Sequence, residues 1–179
     1  MSRIIGGVAG GRRLATPRGR ATRPTSDRVR EGLFSSLGGD LSGRAFLDLY
    51  AGSGAMGLEA LSRGAAAAVF VEADAEAVRA IERNLDKLRL TGARVVRADA
   101  TTGLAQEAGS GRKYDLVLAD PPYAMTDFDA LARYLPRVLA DDGLLVLESA
   151  ARVEPELAGL AVRTTRKYGS TRVTVFEHE

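Results

Sequence analysis

Acidic side chains occur near the ends of several short apolar runs in the sequence. Asp48 lies in "AFLDLY", Glu72 near the end of "AAVFVEA", and Asp99 directly after "ARVVRA". Carboxylates accept hydrogen bonds from hydroxyl and amine groups and attract cations. If these runs are strands of one parallel sheet, their carboxyl ends form the edge at which such sheets bind ligands. The three acids therefore predict a small-molecule site at that edge.

A glycine-rich turn follows the first of these runs, in "LDLYAGSGAMGLEAL". Gly52, Gly54 and Gly57 fit G-x-G-x-x-G between a strand and a helix, and Glu72 lies 20 residues after Gly52. This spacing is typical of dinucleotide sites, where glycines admit the ligand to the backbone and an acid binds ribose hydroxyls. Asp48 favours a different ligand, S-adenosylmethionine, because a carboxylate gains nothing beside a pyrophosphate but attracts the ammonium and sulfonium groups of that cofactor.

Two roles fit Asp99, and the residues leave both open. An aspartate directly before a helix is a good N-cap for that helix, and an acid after a strand can contact a ligand. A single carboxylate can also do both.

The stretch "YDLVLADPPYA" ends a fourth apolar run on an acid, two prolines and a tyrosine. The prolines remove two backbone donors and hold the chain in an extended turn. The turn therefore presents two acceptors, the Asp120 carboxylate and the Pro121 carbonyl, close to the ring of Tyr123. Such acceptors can bind both protons of an exocyclic amine and aim its lone pair at a methyl group, while the ring fixes the plane of a base.

The chain has no cysteine, and its single histidine, His178, is next to last. Methylation of a pyrimidine at C5 ordinarily needs a cysteine thiolate, so that reaction is disfavoured. Thiolate metal sites and disulfides are excluded too, and we expect no metal. Guanine N2, adenine N6 and cytosine N4 remain as targets, and the residues do not choose among them.

Arginine is concentrated near the N-terminus. Residues 1–30 hold eight arginines and one acid, a charge of +7, whereas the rest holds 17 basic and 22 acidic residues, a charge of −5. Guanidinium groups suit phosphate, so we expect this arm to contact nucleic acid. "RIIGGVAGGRRLATP" indicates a hairpin, and "RPTSDRVREGLFSSL" a helix capped by Thr25 or Ser26. The alternative is a solvated tail.

Short apolar runs alternate with amphipathic helices after residue 40. Strands are predicted at 45–50, 67–73, 93–98, 114–119 and 143–149, and helices at 75–90 and 127–139. Such alternation predicts an α/β fold with a parallel sheet covered on both faces. Two further strand-like runs flank Gly169 and Ser170 without a helix between them, which predicts a hairpin. No run is long enough for a membrane helix, so we expect a cytoplasmic protein.

Several segments together resemble one family. DPPY placed after "LDLYAGSGAMG" is similar to the N/D-P-P-Y/F/W amino-methyltransferases of the class I S-adenosylmethionine-dependent fold. "RIIGGVAGGRRL", "RPTSDRVREGLFSSL" and "RKYGSTRVTVFE" further resemble the RsmD family, bacterial 16S ribosomal RNA guanine-N2 methyltransferases. The similarity runs in order over essentially the whole chain.

The resemblance implies a Rossmann-like, mostly parallel seven-stranded sheet with an antiparallel last strand. It implies a basic RNA-binding extension over residues 1–38 and a methyltransferase domain over residues 39–179. It further implies S-adenosylmethionine as cofactor, S-adenosylhomocysteine as product, no metal, and 16S ribosomal RNA of the small subunit as the partner of a monomer.

Roles follow from the resemblance for individual residues. Catalytic roles in the amine pocket fall on Asp120, Pro121 and Tyr123. Cofactor-binding roles fall on Asp48, Gly52, Gly54, Glu72, Asp99, Ala100 and Thr25. RNA-binding roles fall on Arg23 and Arg28, to which the charge of the arm adds Arg12, Arg13, Arg18 and Arg20. The family's tail motif is matched by Lys167, Tyr168 and Gly169, to which neither the resemblance nor the residues assign a role.

Three other functions compete with this interpretation. A DNA amino-methyltransferase would share the pocket and the cofactor but would usually carry a larger target-recognition domain. A nucleotide-dependent oxidoreductase would use the glycine turn but would leave the proline turn and the arginine arm unexplained. A non-catalytic RNA-binding module would not need acids at three strand ends.

Overall fold

A computed structural model describes residues 2–17 and 24–179 of the chain, with side chains from residue 27 onward in the second range. The strands are β1 (Ala45–Leu49), β2 (Ala67–Glu72), β3 (Ala93–Arg97), β4 (Tyr114–Ala119), β5 (Leu139–Ala150), β6 (Leu160–Tyr168) and β7 (Thr171–His178). The helices are α1 (Pro24–Ser36), α2 (Ala55–Ser62), α3 (Ala75–Leu88), α4 (Ala100–Ser110), α5 (Asp129–Ala132) and α6 (Leu135–Val138).

The seven strands form one sheet in the order β3-β2-β1-β4-β5-β7-β6. The five strands from β3 to β5 in that order run parallel, whereas β7 pairs antiparallel with both β5 and β6. The predicted parallel sheet, its antiparallel last strand and the tail hairpin at Gly169 are confirmed. Parallel neighbours place their carboxyl ends on one edge, which is where the predicted site residues lie.

Helices cover both faces of the sheet. Alternate side chains along each strand point to opposite faces, and apolar residues occur on both, so each face is buried under helices. On one face, Phe46 and Phe70 pack with Phe34 of α1 and Ile81 of α3 in one apolar cluster. On the other face, a second cluster joins the strands to α4, α5 and α6, with Leu104 among its buried members. Within the described ranges, none of the helices is long and apolar enough to cross a membrane.

Two helix predictions are wrong in detail. The helix predicted over 127–139 is instead the two short helices α5 and α6, with Pro136 in the first turn of α6 and β5 starting at Leu139. Pro136 has no amide proton to donate to the preceding turn, so one continuous helix cannot pass through it. Helix α1 begins at Pro24, which places Thr25 and Ser26 inside its first turn rather than at its cap. Proline is favoured at that first helical position.

The N-terminal segment, residues 2–17, packs against the domain. Arg3 and Arg13 form an antiparallel bridge, as the predicted hairpin requires. The Glu59 carboxylate of α2 accepts hydrogen bonds of 2.9 Å from the amides of Ile5 and Gly6. Apolar residues of the segment also join the cluster that contains α1 and the strands. The division of the chain at residue 38 remains a prediction.

Candidate active site

A cavity of about 500 Å³ opens at the carboxyl edge of the sheet. Its walls are the glycine turn after β1, the proline turn after β4, residues of the N-terminal segment and residues of α1. The predicted site residues that line it are Asp48, Gly52, Glu72, Asp120 and Pro121. The structure therefore brings together these five candidates for cofactor binding and for the amine pocket, whereas Gly54 and Tyr123 do not line the cavity.

Strand register explains why the acids meet. Asp48 on β1 pairs with Phe70 on β2 and with Leu118 on β4, and Leu118 pairs with Val146 on β5. Side chains two residues apart share a face of the sheet. The acids two positions after these partners, Glu72, Asp120 and Glu148, therefore lie on the same face as Asp48, and all four line the cavity. Among the described residues, no group of histidine and acidic side chains is arranged to hold a metal ion.

Asp48 is buried at the floor of the cavity, with 2% of its surface exposed. Burial raises the pKa of its carboxyl well above the ordinary value, the Gly57 amide opposes this effect, and the charges of Asp120 and Glu72 add to it. The Gly57 amide donates a hydrogen bond of 3.1 Å to Asp48 Oδ2. A buried carboxylate with acidic neighbours is stabilised by a cation, so Asp48 fits the ammonium end of S-adenosylmethionine.

Both oxygens of Glu72 accept backbone hydrogen bonds. Oε1 accepts from the Gly52 amide and Oε2 from the Asp74 amide, each at 2.8 Å. These bonds fix the carboxylate beside the glycine turn, and each oxygen retains a second lone pair for a ribose hydroxyl. The arrangement fits the ribose role predicted for Glu72.

The glycines of the turn meet different requirements. Gly52 has φ 58°, and apart from its own chain neighbours no residue has an atom within 4 Å of the position that a Cβ would occupy, so its surface is open to a ligand. At Gly57 a Cβ would lie 2.3 Å from a carbon of the Phe70 ring. Gly52 thus leaves the backbone accessible to a ligand in the cavity, whereas Gly57 allows α2 to pack closely on β2.

The proline turn is held in place by the tail hairpin. The Met125 amide donates to the Pro122 carbonyl at 2.9 Å, which closes the turn. The Tyr123 hydroxyl is hydrogen-bonded to the Thr171 hydroxyl at the start of β7. The tail motif that includes Gly169 therefore has a structural role, because its turn brings Thr171 to the tyrosine of the proline turn.

Asp99 and Ala100 do not line this cavity. Asp99 caps α4, since its carboxylate accepts a hydrogen bond of 3.1 Å from the Thr102 amide and one of 2.6 Å from the Thr102 hydroxyl. These bonds hold the pKa of Asp99 below its ordinary value. The structure thus shows the capping role, and contact of Asp99 and Ala100 with an adenine ring remains a prediction.

The arm residues divide into those the structure describes and those it does not. Arg18, Arg20, Arg23 and the side chain of Thr25 lie outside the described residues. Arg12, Arg13 and Arg28 are exposed. The Arg12 guanidinium donates a hydrogen bond of 3.0 Å to the Lys87 carbonyl, and the Lys87 ammonium donates to the Arg13 carbonyl at 3.1 Å. This part of the arm therefore lies at the end of α3.

Among the charged residues that line the cavity, sequence reasoning missed two, Arg30 and Glu148. Arg30 was counted with the RNA-binding charge, but its side chain is 2% exposed and lines the cavity. Burial lowers the pKa of its guanidinium, opposed mainly by Glu59. The signal is its spacing to the predicted apolar face of α1, because Arg30 precedes Leu33, Phe34 and Leu37 by three, four and seven residues. Glu148 could have been found because it lies near the end of the fifth predicted strand, as the other acids lie near theirs.

Comparisons with known proteins agree with this geometry. The family model described as Conserved hypothetical protein 95 matches residues 2–177. Ribosomal RNA small subunit methyltransferase D of Escherichia coli is 41% identical over 155 residues, which are 87% of this chain and 75% of that protein.

Solved structures give the same result. The Escherichia coli protein yhhF matches with a TM-score of 0.86 and 36% identity, over 99% of this chain and 98% of that chain. Thermus thermophilus RsmC, a 16S rRNA N2 G1207 methyltransferase solved with AdoMet and guanosine, matches with a TM-score of 0.72 and 25% identity, over 90% of this chain and 44% of that one. The fold is that of the class I methyltransferases. The chain belongs to the family described as Conserved hypothetical protein 95, which is the RsmD family that its sequence resembles.

Proposed function

We propose that the protein transfers a methyl group from S-adenosylmethionine to the exocyclic N2 of a guanine in 16S ribosomal RNA of the small subunit. The observation that carries the proposal is the Asp120–Pro121 turn on the same cavity as Asp48 and Glu72. That arrangement puts an amine pocket beside a site that fits the cofactor. The name of the Escherichia coli relative supports ribosomal RNA as the substrate, and RsmC supports guanine N2.

The cofactor would lie along the glycine turn. Asp48 would bind its ammonium group, Glu72 its ribose hydroxyls, and the open surface at Gly52 would admit it to the backbone. When bound, S-adenosylmethionine supplies an electrophilic methyl group on a sulfonium, whose carbon–sulfur bond breaks with its electron pair remaining on sulfur. The carboxylates around the cavity favour this cation over a neutral or anionic nucleotide.

The turn after β4 would prepare the nucleophile. The Asp120 carboxylate and the Pro121 carbonyl accept the two protons of the guanine amine, which aims the nitrogen lone pair at the methyl carbon. The amine loses one proton as the new nitrogen–carbon bond forms, and Asp120 is placed to receive it or pass it to water. The Tyr123 ring, held through its hydroxyl by Thr171, would bound the plane of the base.

The target base must leave its stack to reach this pocket, as bases in loops or flipped bases do. The exposed Arg12, Arg13 and Arg28 would contact RNA phosphates, so that RNA binding weakens as salt increases. The same contacts would form with DNA phosphates, and for this reason the substrate must be decided by product analysis.

Methyl transfer to small ribosomal subunits tests the proposal. Labelled S-adenosylmethionine is incubated with subunits from cells that lack this activity, with naked ribosomal RNA and duplex DNA in parallel, and the labelled nucleosides are identified by mass analysis. We expect N2-methylguanosine on the subunits. Asp120→Ala serves as the matched control, because it should bind S-adenosylhomocysteine yet form no product. Label only on DNA, or on adenine N6 or cytosine N4, would overturn the proposal.

The oxidoreductase alternative is tested by ligand-induced stabilisation. A ligand that binds the folded state stabilises it, and the effect grows with the logarithm of the ligand concentration. S-adenosylhomocysteine should therefore raise the melting temperature of the protein, whereas NAD, which the proposed site does not bind, should not. Stabilisation by NAD alone would favour the oxidoreductase.

A further inference from the structure

Glu148 lies one strand away from the proposed amine pocket. Ala119 of β4 pairs with Leu147 of β5, so the next residues along the two strands, Asp120 and Glu148, are neighbours across the sheet. Adjacent strands are about 4.8 Å apart. Both side chains are on the face that bears the cavity, and both line it. A base whose amine reaches Asp120 can therefore present one of the two ring edges beside that amine toward Glu148.

That adjacent edge differs among the three candidate bases. In guanine, two ring nitrogens flank the carbon that bears the amine: N1 carries a proton and is a donor, and N3 is an acceptor. In adenine and cytosine, the ring nitrogen next to the amine is an unprotonated acceptor. A carboxylate accepts hydrogen bonds and repels other acceptors, so a carboxylate beside the amine pocket selects guanine.

The two oxygens of a carboxylate offer about four acceptor positions, so Glu148 can accept a proton from a base in addition to a contact that it makes within the protein. Among the described residues that line the cavity, Arg30 is the cation, and its guanidinium donates to the Ser2 hydroxyl at 3.2 Å and to the Arg3 carbonyl. It also contacts Asp27 at 3.2 Å and Glu59 at 3.5 Å. These contacts direct the Arg30 guanidinium toward the N-terminal segment and α2.

We propose that Glu148 determines base specificity by accepting the N1 proton of guanine while Asp120 and Pro121 bind its amine. The inference rests on the proposed function, since it assumes that an exocyclic amine of a nucleobase enters this cavity. It assigns the choice among the three amine targets to a residue of β5, outside the proline turn that amino-methyltransferases of other specificities share.

A nucleotide that keeps the amine and removes the N1 proton tests this role. Guanosine 5′-monophosphate and 2-aminopurine riboside 5′-monophosphate both carry the 2-amino group, but N1 of 2-aminopurine is an acceptor. Binding of each nucleotide to protein saturated with S-adenosylhomocysteine is measured by ligand-observed NMR. Wild-type protein should bind the guanine nucleotide at least about tenfold more tightly, because a site built for a donor rejects an analogue that lacks it.

Two variants separate recognition from folding. In Glu148→Gln the amide NH₂ can donate to N1 of 2-aminopurine, so the preference for the guanine nucleotide should fall at least about tenfold, with tighter binding of the 2-aminopurine nucleotide. In Glu148→Ala the preference should fall without that gain. Glu156→Gln, an exposed acid distant in sequence from the cavity residues, is the matched control and should keep the wild-type ratio. Retained stabilisation by S-adenosylhomocysteine shows that each variant is folded.

The outcomes distinguish the inference from the function on which it rests. A wild-type protein without preference, or an unchanged ratio in both Glu148 variants, overturns the role of Glu148. An equal loss of both nucleotides in Glu148→Gln also overturns it, because a merely structural residue would give that result. Methyl transfer to small subunits is measured with the same preparations. If the wild-type protein makes N2-methylguanosine while the ratio is unchanged, the inference alone fails; if it makes none, the proposed function fails.

Discussion

Replacing Asp48 by asparagine should make the free protein more stable and the cofactor site weaker. Asparagine has nearly the same shape, and its side-chain oxygen can still accept the hydrogen bond from Gly57 that now measures 3.1 Å. What the substitution removes is a negative charge that is buried near two other acids, Asp120 and Glu72. The pKa of Asp48 is raised for that reason, so the folded protein disfavours the ionised form.

The sign of the stability change follows from this pKa. Between the ordinary value of 3.8 and the raised pKa, the folded state holds a proton that the unfolded state has lost. The free energy of unfolding therefore falls as pH rises through that window, and the loss persists at neutral pH. Each pKa unit corresponds to about 1.4 kcal/mol. Asp48→Asn avoids this loss, because asparagine does not ionise. Over the same pH window the free energy of unfolding should fall in the wild type, and this fall should be absent in the variant.

Cofactor binding should change in the opposite direction. A charge-assisted hydrogen bond to the ammonium group contributes about 1.5–3 kcal/mol, so the affinity for S-adenosylhomocysteine should fall about 10- to 150-fold. Calorimetric titration measures the affinity, and thermal melts from acid to neutral pH measure the stability of the free protein. Asp86→Asn, at an exposed position on α3, controls for the loss of one charge. Unchanged affinity, or a free protein less stable than wild type at neutral pH, would refute the role given to Asp48.

Three further variants address the supports of the site. Glu59→Ala leaves Arg30 without its buried ion-pair partner and two amides of the N-terminal segment without their acceptor, which should weaken the docking of the segment by about 3–5 kcal/mol. Hydrogen exchange of those amides would then accelerate, and full protection would contradict this expectation. Gly57→Ala places a methyl group 2.3 Å from a Phe70 carbon and should lower the free energy of unfolding by about 1–3 kcal/mol, so an unchanged Tm would count against the packing argument. Thr171→Val removes the partner of the Tyr123 hydroxyl and should lower single-turnover methyl transfer about three- to tenfold while cofactor affinity stays the same; a loss of affinity instead would show that the contact supports a different part of the site.

Local sequence patterns predicted most of the fold and the core of the site. Asp48, Glu72 and Asp120 each occur near the end of a short apolar run, and parallel pairing is enough to bring such positions to one edge. The turn formed by Pro121 and Pro122 could also be predicted locally, because its geometry depends on the prolines themselves.

The features that were missed depend on register and on packing between distant segments. Glu148 interrupts an apolar run without a turn signal after it, and only the pairing of β5 with β4 places it beside Asp120. Arg30 has the composition of the arm, but α1 turns it toward the cavity rather than toward solvent. Local patterns indicate a strand end at Glu148 and the apolar face of α1 at Arg30, but only contacts between residues far apart in sequence place both side chains at the cavity.

Buried charges join the N-terminal segment to the cavity as one unit. Arg30 lines the cavity and binds the Ser2 hydroxyl and the Arg3 carbonyl, while Glu59 holds the following amides to α2. Helix α2 starts directly after the glycine turn that the cofactor would contact. Displacing the segment that carries Arg12 and Arg13 must therefore move one wall of the cavity. By linkage, whichever ligand orders this segment favours the binding of the other, so RNA and cofactor should assist each other in wild-type protein and lose that coupling when Glu59 is replaced.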